Sequence, residues 1–294
     1  MTAAETHPID PHHDVGPVAG SVGATAFGPF EVRWREQGPA EGPVTLLLHG
    51  VYAGASGFEW RSLAPLLAED GRRVWIVDLL GIGMSDRPDL DWNPGILTSV
   101  VAALVRAAGP DVNVVASSLA GAHAVRAVAA GAPCGSLALI TPTGLGRAQT
   151  STSGALGRSL YAIGRHTPLG DAFVWALSSG PSVRWFLEHQ TYRDPSALTE
   201  EEVVETRRIA RQPNAKHLQL AFVTDRLGIR LDPVEVAAVS PHVLWGAGQG
   251  FVGEAEPDAW RAAGATVTEV SAGLPHVEDP TATAAWLGQV AGAA

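Results

Sequence analysis

Short, wholly apolar runs alternate with helical patterns through much of this chain. FEVRWRE (30–36) switches between apolar and polar positions and predicts a half-buried strand. VTLLLHG (44–50), RRVWIVDLL (72–80), residues 112–117 and SLALIT (136–141) are almost uninterrupted apolar runs, the pattern of strands buried on both faces of a parallel sheet. Helical spacing occupies 58–69, 96–108 and 120–130 between them. From about 145 to 230 no strand pattern occurs, only amphipathic helical stretches with many aromatics and arginines. The alternation resumes with HVLWGA (242–247), a helix over 253–264, the strand TVTEVS (266–271) and a last helix over 280–291. Such alternation builds crossover units and a mostly parallel sheet. The expectation is an α/β core made of residues 28–144 and 232–294, a helical insertion at 145–231, and a disordered or extended leader at 1–27.

Composition narrows the partners more than the fold. A chain of 294 residues is long enough for one large core, and 46% hydrophobic with 17% charged residues is globular rather than disordered. The net charge of −10 argues against nucleic acid and against an anionic membrane as partners. The single cysteine, Cys134, excludes an internal disulfide and a multi-cysteine metal site, and no metal or other cofactor is expected. The first thirty residues carry Glu5, Asp10, Asp14 and four prolines, with no basic start followed by an apolar core, so no secretory signal is read there; His7, His12 and His13 fit a polar tail. No run approaches the ~18 apolar residues of a membrane span. A cytoplasmic location is expected, and a homodimer stays open.

Candidate chemistry begins at VNVVASSLAG (112–121), where an apolar strand runs straight into a small-residue helix. A tight strand–turn–helix junction can hold one serine up at the sheet edge as a nucleophile. Ser118 has Ala116 two before and Ala120 two after, small enough for a strained turn. Ser117 would have Val115 and Leu119 at those places. The competing reading is a serine that caps the following helix. Asp78, Gly81, Gly83 and Ser85 form D-x-x-G-x-G-x-S after a strand. Asp86 stands where a dinucleotide loop needs its third glycine, so a tight structural turn is the better reading.

With LLLHG, DLLGIGMSDRP, ASSLAG and LPHVEDP in this order, residues 28 to 292 resemble the α/β-hydrolase fold superfamily. The similarity is to its capped esterase, epoxide hydrolase and dehalogenase-like branch. It implies a mostly parallel sheet with helices on both faces and a helical cap formed by the insertion. It also implies an oxyanion hole from the backbone N–H groups of Val51 and Leu119, which would each supply a few kcal/mol of transition-state stabilisation. The side chain of His49 is expected to bond backbone carbonyls, or else to border the substrate.

A nucleophilic serine needs a base and an orienting acid. The resemblance places the histidine at Gly273 or Leu274 in SAGLPHVEDP, and neither residue is one. His276, two or three residues on, is the candidate base. The acid is implied within G-x-x-D after HVLWGA, where this chain has Gln249. Glutamine can orient an imidazole but cannot offset imidazolium charge. Glu254, Glu256 and Asp225 are further candidates. Tyr161, Phe173, Trp175, Trp185, Phe186, Tyr192 and Phe222 could line an apolar site between cap and core. The residues expected around a hydrophobic small-molecule substrate are His49, Tyr52, Ser117, Thr143, Trp175 and Phe222. Three functions compete: a serine hydrolase of an ester or lactone; a non-hydrolytic lyase, dehydratase, cyclase or isomerase of secondary metabolism; and a ligand-binding protein without chemistry.

Overall fold

The computed structural model describes residues 21–145, 154–247 and 256–292. Eight strands form one sheet: β1 (Ser21–Phe27), β2 (Phe30–Gln37), β3 (Val44–Leu48), β4 (Arg73–Asp78), β5 (Asn113–Ser117), β6 (Ser136–Ile140), β7 (His242–Gly246) and β8 (Thr266–Val270). Their order is β1-β2-β4-β3-β5-β6-β7-β8. β1 pairs antiparallel with β2, and β2 with β4. All later pairings are parallel. The last seven residues of the expected leader are therefore an edge strand, joined to β2 by a two-residue Gly28–Pro29 turn. Gly28 has φ +60°, which the first position of a type II′ turn reserves for glycine.

Alternate residues of the central strands feed two apolar layers. Leu46, Leu48, Val77, Val114 and Leu139 face α2 (Pro94–Ala108), α3 (Ser118–Ala129) and α9 (Pro233–Val239). Leu47, Ile76, Val115 and Ile140 face α1 (Leu63–Glu69) and α12 (Pro280–Gly292). Burial on both sides explains why these strands read as unbroken apolar runs. β8 lies at the sheet's other edge and its residues are half-buried or exposed. α10 (Glu256–Ala262) packs beside it. This is the α/β-hydrolase fold.

The helical pattern at 58–69 divides in two. A 3-10 turn, Gly57–Trp60, is capped by Ser56 Oγ, which accepts from Phe58 N, and α1 follows. Between β6 and β7 come α4 (Ala155–His166), α5 (Pro168–Leu177), α6 (Gly180–Phe186), a π turn (Leu187–Thr191), α7 (Glu200–Ala210) and α8 (Lys216–Val223). These helices lie over the loops at the C-terminal ends of the strands: Leu218 of α8 packs at Gly81, and Thr206 of α7 packs at Gly54. Leu231 N donates to Gly144 O at 3.0 Å, closing the insertion at its base. Arg165 of α4 and Arg226 pair with Asp89 and Asp91 in the loop after β4. Among the described residues no helix is long and apolar enough to cross a membrane.

Candidate active site

β5 passes into α3 with no intervening residue, and Ser118 at the junction has φ +50°. A non-glycine residue in the left-handed region costs about 1–2 kcal/mol, and such strain clusters at functional sites. The small neighbours make the turn feasible: Ala116 and Ala120 are fully buried beneath it. The two serines part company there. Ser118 is half-buried and its hydroxyl has no hydrogen-bond partner among the described residues. Ser117 is buried and its hydroxyl bonds to Glu59. Leu119 is the second residue of α3, so its N–H has no intrahelical acceptor. The Val51 N–H, in the loop after β3, likewise donates to no described group. Thr143 N donates to Ser118 O at 3.3 Å, which ties the turn to the loop after β6.

His49 offers nothing to a ligand. Its Nδ1–H donates to Gly50 O at 2.6 Å, and its Nε2 accepts from Leu79 N at 3.2 Å. Both nitrogens of a fully buried ring are thus spent on backbone. Asp78 plays a similar part. Its carboxylate accepts from Gly57 N (2.7 Å) and Met84 N (2.8 Å), while Ser85 Oγ donates to Asp78 O. The D-x-x-G-x-G-x-S segment is a structural turn.

A carboxylate that pattern reading passed over, Glu59, lies beside the elbow. Its Oε2 accepts from Gly50 N at 3.0 Å and its Oε1 bonds His276 Nε2 at 2.9 Å. Glu59 Oε2 and Ser118 Cβ both lie within 3.5 Å of the point where a Cβ on Gly50 would sit, so no more than about 7 Å separates them. Burial pushes the Glu59 pKa up. Hydrogen bonds from His276 and the Ser117 hydroxyl, together with the nearby His276 and His49 rings, outweigh it and hold the carboxyl below its ordinary value. His276, on α11 (Pro275–Glu278), is fully buried over Trp60, with ring centroids 4.5 Å apart. With Nε2–H donating to Glu59, Nδ1 is left as an acceptor, and it has no partner among the described residues.

The place where the resemblance put the base is filled by the insertion. A Cβ on Gly273 would meet Arg193 N and Thr191 O at 2.6 Å. Glu278 clasps the same contact, accepting from Leu274 N at 2.6 Å, Asp194 N at 3.1 Å and Arg193 N at 3.4 Å. Leu274 packs with Leu187, Tyr192 and Val203.

A narrow apolar pocket, with about 10 Å³ of free space, lies between the Val51–Ala55 and Gly81–Ile82 loops and the insertion's Ile209, Leu218, Gln219 and Phe222. Tyr52 borders it and also a second, polar pocket, equally narrow, lined by Glu59, Arg61, Glu202 and Glu205. There Arg61 pairs with Glu202 at 2.7 Å, and Tyr192 O–H donates to the same oxygen at 2.5 Å. Burial raises the Glu202 pKa despite Arg61, and raises that of Tyr52 well above a normal phenol, with Glu59 and Glu202 adding to the effect.

A family model described as the alpha/beta hydrolase family matches residues 45–286. The chain belongs to the alpha/beta hydrolase family. A haloalkane dehalogenase from Mycobacterium marinum (strain ATCC BAA-535 / M) is 39% identical over 67 residues, 23% of this chain and 22% of that protein. The matched stretch is therefore about a fifth of that curated relative's length. An epoxide hydrolase structure is similar with TM-score 0.69 and 20% identity, covering 92% of this chain and 98% of that one. A serine hydrolase involved in carbazole degradation reaches TM-score 0.71 at 17% identity, covering 94% of this chain and 100% of that one. At these identities the structures speak for the fold.

Within this alpha/beta hydrolase, the residues expected around a substrate are placed unequally. Tyr52 and Phe222 line the apolar cavity. Trp175 does not: it is 64% exposed, under the Arg211 guanidinium. Phe173 and Trp185 are exposed too, and Tyr161 O–H is spent on Leu90 O. Ser117 is engaged by Glu59, and Thr143 braces the elbow through its backbone. Gln249 and Glu254 lie outside the described residues, as does the side chain of Glu256. Asp225, in the turn after α8, faces Gly228. The structure brings Ser118, Val51, Leu119 and Glu59 to one place, with His276 bonded to Glu59 rather than to Ser118. Among the described residues no cluster of side chains could hold a metal ion.

Proposed function

We propose that this family member hydrolyses an ester or lactone of a small, largely apolar molecule through Ser118. The observation that carries the reading is the Ser118 backbone, held at φ +50° in a half-buried residue at the start of α3. A pure binding protein gains nothing from that strain. In the proposed reaction Ser118 Oγ attacks the carbonyl carbon, and the oxyanion accepts hydrogen bonds from Val51 and Leu119 N–H at the positive end of α3. The Glu59–His276 pair receives the serine proton and returns it to the departing alkoxide. Water then cleaves the acyl-enzyme. Glu59 takes the orienting and charge-stabilising part that the resemblance assigned to the position of Gln249.

The test is covalent labelling by a fluorophosphonate: wild type labels, and Ser118→Ala does not. A wild-type protein that never labels rejects the reading. One observation favours a non-hydrolytic alternative. Among the described residues the Ser118 hydroxyl has no direct bond to an imidazole, and the adjoining pocket is almost wholly apolar. Turnover of a carbonyl substrate that survives Ser118→Ala would establish that alternative.

A further inference from the structure

Tyr192 of the insertion is tied to the carriers of both members of the buried pair. Its ring belongs to an apolar cluster with Val183, Leu187 and Val203, against which Leu274 and Val277 pack. Those two residues bracket His276 in the chain, so the cluster bears on α11. The backbone around Tyr192 holds the same element: Thr191 O and Arg193 N close on Gly273, and Glu278 of α11 accepts from Arg193 N and Asp194 N. The Tyr192 hydroxyl serves the other carrier. It donates to Glu202 Oε2, the oxygen that Arg61 holds at 2.7 Å. Arg61 in turn closes the 3-10 turn that carries Glu59. Its backbone N–H and its guanidinium donate to Phe58 O at 3.1 and 3.3 Å, and the guanidinium lies over the Phe58 ring. Tyr192 and Glu202 are each only 4% exposed. A buried polar network whose members satisfy one another is rigid.

We infer that Tyr192 is a positioning residue, through which the insertion fixes the Glu59 carboxylate and the His276 imidazole against each other. It acts through Glu202, Arg61 and the 57–60 turn on one side, and through α11 on the other. The hydrogen bond it secures, 2.9 Å from His276 Nε2 to Glu59 Oε1, joins residues 217 positions apart in the chain. Hydrogen bonds weaken steeply as distance and angle depart from the optimum, so a small displacement of either carrier is felt there. The effect on Ser118 rests on the hydrolase reading; the fixing of the pair does not.

Tyr192→Phe keeps the ring and removes only the hydroxyl. The Nε2–H proton of His276 is followed by NMR on protein labelled with ¹⁵N at histidine, with His276→Gln to assign it, and fluorophosphonate labelling of Ser118 is timed on the same preparations. In Tyr192→Phe that proton should move upfield and exchange faster with water. Labelling should slow about ten- to a hundredfold, the scale of a misplacement of about 1 Å. Glu202→Gln removes the charge that holds Arg61 and should repeat both effects, so the test survives if one variant does not fold. Tyr161→Phe removes a different buried hydroxyl of the insertion, the one that donates to Leu90 O, and should change neither reading. A proton that stays in place in Tyr192→Phe and Glu202→Gln overturns the inference. An equal shift in Tyr161→Phe overturns it too, because any loosening of the insertion would then suffice. If wild type never labels, the hydrolase reading falls while the His276 proton still decides the role of Tyr192.

Discussion

Glu59→Gln separates a catalytic from a purely structural role for the buried pair. The carboxylate gathers three donors: Gly50 N at 3.0 Å, His276 Nε2 at 2.9 Å and the Ser117 hydroxyl. Glu59→Ala would strand all three. Breaking a buried pair by removing one partner costs about 3–5 kcal/mol, which at about 2–4 °C per kcal/mol lowers Tm by roughly 6–20 °C. Glutamine is milder, because it keeps the volume and one acceptor. Its oxygen must face Gly50 N–H, which can only donate, so its NH₂ faces His276 Nε2. To accept that hydrogen, Nε2 must give up its own proton to Nδ1, and the acceptor at Nδ1 is lost. The expected stability loss is about 1–2 kcal/mol, the scale of one net hydrogen bond.

The effect on chemistry should be far larger. A carboxamide that forces the wrong imidazole tautomer in a serine–histidine–aspartate site lowers the rate about 10⁴-fold with geometry intact. The same logic predicts that Glu59→Gln reduces the rate of fluorophosphonate labelling of Ser118 by about 10³–10⁴-fold while Tm falls by only a few degrees. Labelling rate and thermal midpoint are measured on the same preparations. Labelling at the wild-type rate, with the midpoint lowered, would refute the argument and leave Glu59–His276 as packing.

Acid should destabilise the fold through His123, which is fully buried. Its Nδ1 accepts from Thr98 Oγ1 at 2.8 Å and its Nε2–H donates to Leu227 O at 3.0 Å. Burial, against the Leu227 bond and with help from Arg126, lowers its pKa to about 4 from 6.5. The unfolded chain therefore binds the extra proton first. Stability is complete above about pH 6.5 and falls by about 3 kcal/mol as pH approaches 4; urea titrations of wild type and His123→Gln should converge across that window, and parallel curves would count against it. Gly273→Ala should push the 191–193 segment off the loop and cost about 1–3 kcal/mol, seen as a lower urea midpoint with faster proteolysis in the insertion. Ser118→Gly should abolish labelling yet keep Tm at or above the wild-type value, since glycine relieves the φ +50° strain.

What could be read from the chain follows from how local each signal is. β3, β5 and β6 are buried on both faces, so each prints itself as an apolar run of five or six residues. The elbow is equally local, because a strained turn needs its small residues at fixed offsets from Ser118. α9 carried a local signal too, an Asp232–Pro233–Val234–Glu235 capping box, but its seven residues are too few for a periodic pattern. β1 escaped notice because its pairing with β2 buries little of it. Glu59 had no such signature. In sequence it is an acid in a helical pattern beside Phe58 and Trp60, where a solvent-facing residue is the ordinary reading. Its partner His276 is 217 positions away, and β3 is separated from β7 and β8 in the sheet by β5 and β6. Only when the loops beyond those strands meet over the sheet edge do the carboxylate and imidazole touch. Two long-range contacts thus shape the surroundings of Ser118 without any local signature: the insertion's 191–193 backbone packs against Gly273, and the Glu59 carboxylate comes in beside Gly50.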